Sequence, residues 1–169
     1  MSDLHSISAA VLAGFLLATP VLAQDADADI ARAYLDAYSA LDTERMGELL
    51  ANEAIFSDRG SFTIEGGPYH YEGRDAILAA IAGFRDDNGL TEIAYDIAMQ
   101  HEASGQAVYA AEVEARWARP DGGFTVWTGN VVTSVRIENG KVIEHLDMPD
   151  YRGGRMSYQA DMETPNGTP

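Results

Sequence analysis

Apolar residues recur at Ile30, Ala33, Tyr34, Ala37, Tyr38 and Leu41, a three-to-four spacing that lays one side of a helix against a core. The acidic stretch before it, residues 25–29, is expected to fray. Leu41-Asp42-Thr43 interrupts the spacing, and Asp42 or Thr43 can cap a second, short helix carrying Met46, Leu49 and Leu50. Residues 54–58, AIFSD, are short and β-prone and predict a strand. Residues 59–71 hold three glycines and Pro68 and read as a loop. A third helix is predicted over about 74–84, with Ile77, Ile81 and Phe84 on its buried side, and Asp86-Asp87-Asn88-Gly89 ends it.

From residue 91 the period changes to two. Ile93, Tyr95, Ile97 and Met99 alternate over 91–100, and long strands are predicted over 107–118 and 124–137 around the turn Pro120-Asp121-Gly122-Gly123. Asn139-Gly140 is the strongest short hairpin signal, because both residues tolerate the positive φ of a type I′ turn. A last strand follows over 141–148. The order α-α-β-α-β-β-β-β makes an α+β domain: a curved, mostly antiparallel sheet packed on three N-terminal helices, leaving a concave place for a small molecule. The domain is expected over 24–151, with 152–169 a loose tail containing Gly153, Gly154, Pro165 and Gly167.

The first residues are read as standing outside this domain. Residues 7–19, ISAAVLAGFLLAT, are apolar and uncharged, and Val21 and Ala23 are small residues where a signal peptidase reads them. Cleavage is expected after Ala23, making 1–23 a signal peptide and the protein periplasmic or secreted. The leading MSDLHS carries Asp3 and no lysine or arginine, unlike the usual basic start. The apolar run is shorter than the roughly 20 residues a spanning helix needs, so no membrane association is expected once the signal is removed.

Charge narrows the partners. With 27 acidic and 11 basic residues the chain carries a formal −16, and Lys141 is its only lysine. A nucleic acid, which requires a basic face to displace its counterions, is not an expected partner. The chain has no cysteine, which removes disulfides, thiolate metal sites and cysteine nucleophiles. No HxH or HExxH spacing is present, and neither a metal nor a cofactor is expected.

The stretches ARAYLDAYSALDTERMGELLANEAIFSD, YEGRDAI and ENGKVIEHLDMPDY resemble the nuclear-transport-factor-2-like superfamily, within it the SnoaL-like and ketosteroid-isomerase-like branches. The resemblance covers about residues 30–151 and implies a cone of helices over a curved sheet. Against the ketosteroid isomerases, their catalytic tyrosine falls on Tyr34, their general-base aspartate on Asp58, and their second acid near Thr133. Against the limonene-epoxide hydrolases, the last-strand aspartate falls on Asp147 or Asp150. The fold hosts isomerases, hydrolases, cyclases, dehydratases and binders without catalysis.

Each candidate also has a plain structural alternative. Asp58 is a general base at the cone, or an aspartate capping the turn at Arg59-Gly60. Tyr34 donates a hydrogen bond to a ligand oxygen, or is a core phenol, the reading given to Tyr38. His145 and Asp147 alternate on the last strand and so share a face. The family register turns that face inward, where they form an acid–base pair; otherwise they are solvated edge charges. Phe56, Trp127, Val131 and Thr133 are the expected ligand-contacting residues. Glu112, Glu114 and Arg116 read as an outward charge ladder. The expected function is binding of a small apolar or carbonyl-bearing molecule, with cofactor-independent acid–base isomerisation, hydration, dehydration or hydrolysis. The alternative is a ligand-binding or protein-interaction module without catalysis. A homodimer, packed through the convex side of the long strands, is the expected assembly.

Overall fold

Helix α1 (Val21–Ser39) opens the part of the chain that the computed structural model describes, residues 21–160. The expected signal peptide falls almost wholly on residues 1–20, and the far end of the tail on 161–169, both outside the described residues. The helical backbone runs through 25–29, where fraying was expected. The predicted face is the buried one: Ala31, Tyr34, Leu35, Ala37 and Tyr38 enter the core.

Asp42 caps α2 (Thr43–Leu49), its carboxylate accepting from the Arg45 N–H at 3.0 Å. Met46 and Leu49 go into the core, while Leu50 already belongs to β1 (Leu50–Asp58). A single 3-10 turn over Gly60–Thr63 and a three-residue strand, β2 (His70–Glu72), occupy what the composition reads as loop. Three residues are too few to display a period, and β2 exists because it pairs antiparallel with β1 at the sheet edge. Helix α3 (Arg74–Asp86) buries Ile77 and Ile81.

The sheet is completed by β3 (Leu90–Ala103), β4 (Gln106–Ala118), β5 (Phe124–Glu138), β6 (Lys141–Pro149) and β7 (Arg155–Gln159). Its order is β2-β1-β6-β5-β4-β3, antiparallel except for β1 beside β6. Strand β7 corrects the loose-tail expectation for 155–159. It pairs with Phe124–Thr128 of β5, beyond the stretch of β5 that β6 covers, and so satisfies backbone groups that would otherwise form an open edge.

Two bulges decide which side chains face the helices. Between Ile97 and Met99 the β3–β4 register slips, and Met99, expected inside by alternation, is 60 % exposed. A second slip between Arg136 and Ile137 lets Val142, His145 and Asp147 all turn inward from β6. Arg116 bridges Glu114 and Glu92 outside the cone, as the charge-ladder reading expects. Among the described residues, no helix is long and apolar enough to cross a membrane.

Asn139 and Gly140 take φ of 52° and 72°, the hairpin conformation their sequence demands. A Cβ on Gly140 would meet nothing within 4 Å, so Gly140→Ala tests backbone strain alone. It is expected to cost about 1–2 kcal/mol in urea unfolding, with no change in the core.

Candidate functional site

Between the concave face of the sheet, α1, α3 and the segment that follows β6 lies an open cavity of about 560 Å³. Phe56 of β1, Trp127 and Val131 of β5 line it, as expected from their strand faces. Tyr95, Val113 and Trp117 from β3 and β4 extend the apolar wall. Two carboxylates, Asp58 and Asp147, supply its charge.

Those two aspartates meet because β1 and β6 run parallel with Asp58 opposite Asp147 in register, so both side chains leave the same face of adjacent strands. The Arg59 N–H donates to the Asp147 carbonyl at 2.8 Å and locks the strand ends together. Asp58 caps the turn and borders the cavity at once. Its Oδ1 accepts the Ser61 N–H at 2.9 Å, capping the 3-10 turn, and its side chain still borders the cavity. The Ser61 hydroxyl donates to the Asp58 carbonyl at 2.6 Å and accepts the Tyr69 N–H at 2.8 Å, which ties the turn to the loop leading into β2.

The second oxygen of Asp58 accepts a hydrogen bond from the Tyr151 hydroxyl. Tyr151 stands just past β6 and packs its ring 5.6 Å from that of Trp127. The chain then turns at Asp150, whose Oδ1 accepts the Gly153 N–H at 2.9 Å, and passes Gly154 across the Trp127 indole. A Cβ on Gly154 would sit 2.4 Å from Trp127 Nε1, so only glycine lets the strand come this close. Asp150, one of two candidates for the last-strand acid, is thus a turn residue, and Asp147 is the one in the cavity.

Burial pushes the Asp58 carboxyl above the ordinary aspartate range, and the Asp147 charge adds to this. Hydrogen bonds from Tyr151, Ser61 and the Gly60 N–H oppose the shift without reversing it. A carboxyl whose pKa is higher folded than unfolded binds more protons in the folded state, so its stabilising effect is lost as pH rises through the folded pKa. Asp58→Asn keeps an acceptor for Ser61 and an amide for Tyr151 but removes the titration. Its stability relative to the unsubstituted protein is therefore expected to improve as pH rises above the ordinary aspartate range and to level off once Asp58 is deprotonated in the folded protein, read from urea midpoints at each pH. A constant difference would show that Asp58 does not titrate abnormally.

Asp147 is 6 % exposed and held at one oxygen. Thr133, its register partner on β5, donates to Oδ1 at 2.5 Å. His145 Nε2 is 2.9 Å from the same oxygen but out of line for a hydrogen bond. Behind it, the Tyr34 hydroxyl lies 3.1 Å from His145 Nδ1. Burial and the Asp147 charge push the Tyr34 phenol well above its usual range, so it stays protonated beside Nδ1. The other ring nitrogen, Nε2, faces Asp147. The rings of Tyr34, Tyr38 and Phe56 surround the imidazole edge-on at centroid distances of 5.5, 4.7 and 4.7 Å.

This placement corrects two expectations. Tyr34 and His145 are both wholly buried and do not line the cavity; they stand one layer behind Asp147. Tyr38, read as the core phenol, is the α1 tyrosine that borders the cavity, because the helix turns Tyr34 under His145 and leaves Tyr38 one turn nearer the opening. Thr133 likewise acts through Asp147 and does not line the cavity. The acid that the ketosteroid-isomerase resemblance places near Thr133 is absent from β5, and the paired position on β6 supplies one. Tyr151 escaped the sequence reading; its only trace there is as the last residue of ENGKVIEHLDMPDY. Among the described residues, no three histidine, aspartate or glutamate side chains converge to hold a metal ion.

No curated protein matches the chain. Solved structures share its fold. One, assigned to the SnoaL-like polyketide cyclases of Shewanella denitrificans, is 18 % identical over 80 % of this chain and 94 % of its own, with a TM-score of 0.63. Another so assigned, from Shewanella putrefaciens, is 22 % identical over 75 % of this chain and 91 % of its own, with a TM-score of 0.62. An epoxide hydrolase of M. tuberculosis resembling the limonene-epoxide hydrolases is 9 % identical over 78 % of this chain and 87 % of its own, at 0.62. At these identities the likeness is one of fold. The sequence itself matches the SnoaL-like domain over residues 31–145, most of the chain, and the cone of helices on a curved, mostly antiparallel sheet is the one such a match implies. The chain belongs to the SnoaL-like domain family.

Proposed function

We propose that the cone binds a small, largely apolar molecule, including carbonyl-bearing ones, and moves a proton on it with the Asp58–Asp147 pair, without a cofactor. The observation that carries this reading is the pair itself: two buried carboxylates in register on adjacent strands at the polar end of an otherwise apolar cavity. Burial and the neighbouring Asp147 raise the Asp58 carboxyl above the ordinary aspartate range, which suits Asp58 to hold a proton beside Asp147. Asp147 is the better-placed base. Its partners lie on Oδ1, whereas both oxygens of Asp58 carry hydrogen bonds. The phenols of Tyr38 and Tyr95, both pushed up by burial, stay protonated at the cavity and can donate to a developing oxyanion. The reaction class is isomerisation, hydration, dehydration or hydrolysis.

In this proposal the protein works outside the cytoplasm after cleavage behind Ala23, which N-terminal sequencing of the native protein checks. A second copy would pack on the outer sheet face around Val132, Leu146 and the exposed Met148, which gel filtration checks. The function is tested by native mass spectrometry of the protein from its own source, followed by turnover assays on any compound that co-purifies. A bound small molecule that the protein converts supports the proposal; a compound bound but never converted, by wild type at any pH, leaves a carrier in place of an enzyme.

A further inference from the structure

We infer that the ligand is an organic cation: a protonated or quaternary amine on an apolar body. The inference rests on reading the cone as a binding site and is independent of the proton-transfer step.

The cavity wall has a one-sided chemistry. Among the described residues, Asp58 and Asp147 are the only formally charged side chains that line it, and no lysine, arginine or histidine does. An anionic ligand would meet two carboxylates and no counter-charge. A neutral ligand would leave this acidic end of the cavity without a counter-charge while displacing the water there. A cation beside them supplies the counter-charge that a buried carboxylate lacks. Asp147 is the specific anchor, since it is 6 % exposed, its neighbours hold Oδ1, and Oδ2 accepts nothing from the described residues.

The rest of the wall selects the kind of cation. Among the described residues, eight aromatic side chains border the cavity, including Trp117, Trp127, Tyr95 and Tyr38. Ring faces attract alkylated ammonium groups, most strongly when tryptophan is among them. A hard metal ion asks instead for six or more oxygens, which two carboxylates among aromatic rings do not offer. At longer range, the formal −16 of the chain draws cations toward the opening and repels anions.

The test compares benzyltrimethylammonium with neopentylbenzene, the same skeleton with carbon in place of the charged nitrogen. Binding is measured by calorimetry and by quenching of Trp117 and Trp127 fluorescence. The cation is expected to bind, and Asp147→Asn to weaken it by about thirtyfold or more while leaving neopentylbenzene unchanged. Trp127→Leu, a second variant independent of the carboxylates, is expected to weaken the cation by about threefold to tenfold. Tighter binding of neopentylbenzene than of the cation, no binding of the cation, or a cation affinity that ignores Asp147→Asn overturns the inference. The two readings fail separately. Selective cation binding with no turnover of any amine would overturn proton transfer alone, and turnover of a neutral compound with no cation preference would overturn the cation alone.

Discussion

Asp147→Asn is expected to lower turnover of the cavity's substrate about 10²–10⁴-fold while leaving the fold intact. The substitution is isosteric, and the asparagine carbonyl can still accept from Thr133. What is lost is the ability to take and return a proton. The change also removes a negative charge beside Asp58, which contributes to that residue's raised pKa, so Asp58 is expected to titrate lower in the variant. Asp58→Asn is expected to have a smaller effect, because the turn and Tyr151 already occupy both oxygens of that carboxylate. Steady-state rates on the compound recovered from the cavity, with circular dichroism melts of the same samples, check both. Full activity in Asp147→Asn with impaired activity in Asp58→Asn would reverse the two roles; full activity in both would remove the pair from the chemistry.

The sequence announced the elements whose pattern is long and the contacts that pattern can encode. The α1 face, the four long strands and the Asn139-Gly140 turn all follow from period and turn chemistry; alternation says which strand residues share a face, and the resemblance, not the period, turned Asp58 and Asp147 toward the cavity. Features set by tertiary pairing were not legible. Strand β2 is three residues long, and β7 forms because β5 extends past β6 and leaves its ladder groups open. Bulges defeat alternation outright, as the exposed Met99 shows. Tyr34 and Tyr38 illustrate a finer limit. Helical spacing puts both on the inner face, but which one meets the cavity depends on where His145 lies, and His145 is 111 residues away in sequence. Tyr151 has no periodic signal at all; it reaches Asp58 because Pro149 and the turn at Asp150 direct the chain back across Trp127.

The layer behind Asp147 should carry much of the local stability. His145→Ala is expected to cost about 3–5 kcal/mol, combining a cavity among three aromatic rings with an orphaned Tyr34 hydroxyl. Tyr34→Phe removes only the hydroxyl and leaves His145 Nδ1 unpaired, at about 1–3 kcal/mol. Because each single substitution strands the other partner, the double variant is expected to cost less than the sum of the two by about 1 kcal/mol or more. Urea unfolding of all four proteins closes that cycle, and additive costs would mean that the 3.1 Å contact contributes nothing to stability. The same variants separate support from catalysis. If His145 acts by setting the charge environment of Asp147, Tyr34→Phe should move the pH profile of turnover while leaving ligand affinity nearly unchanged. A merely structural Tyr34 would lower stability and leave the profile where it was.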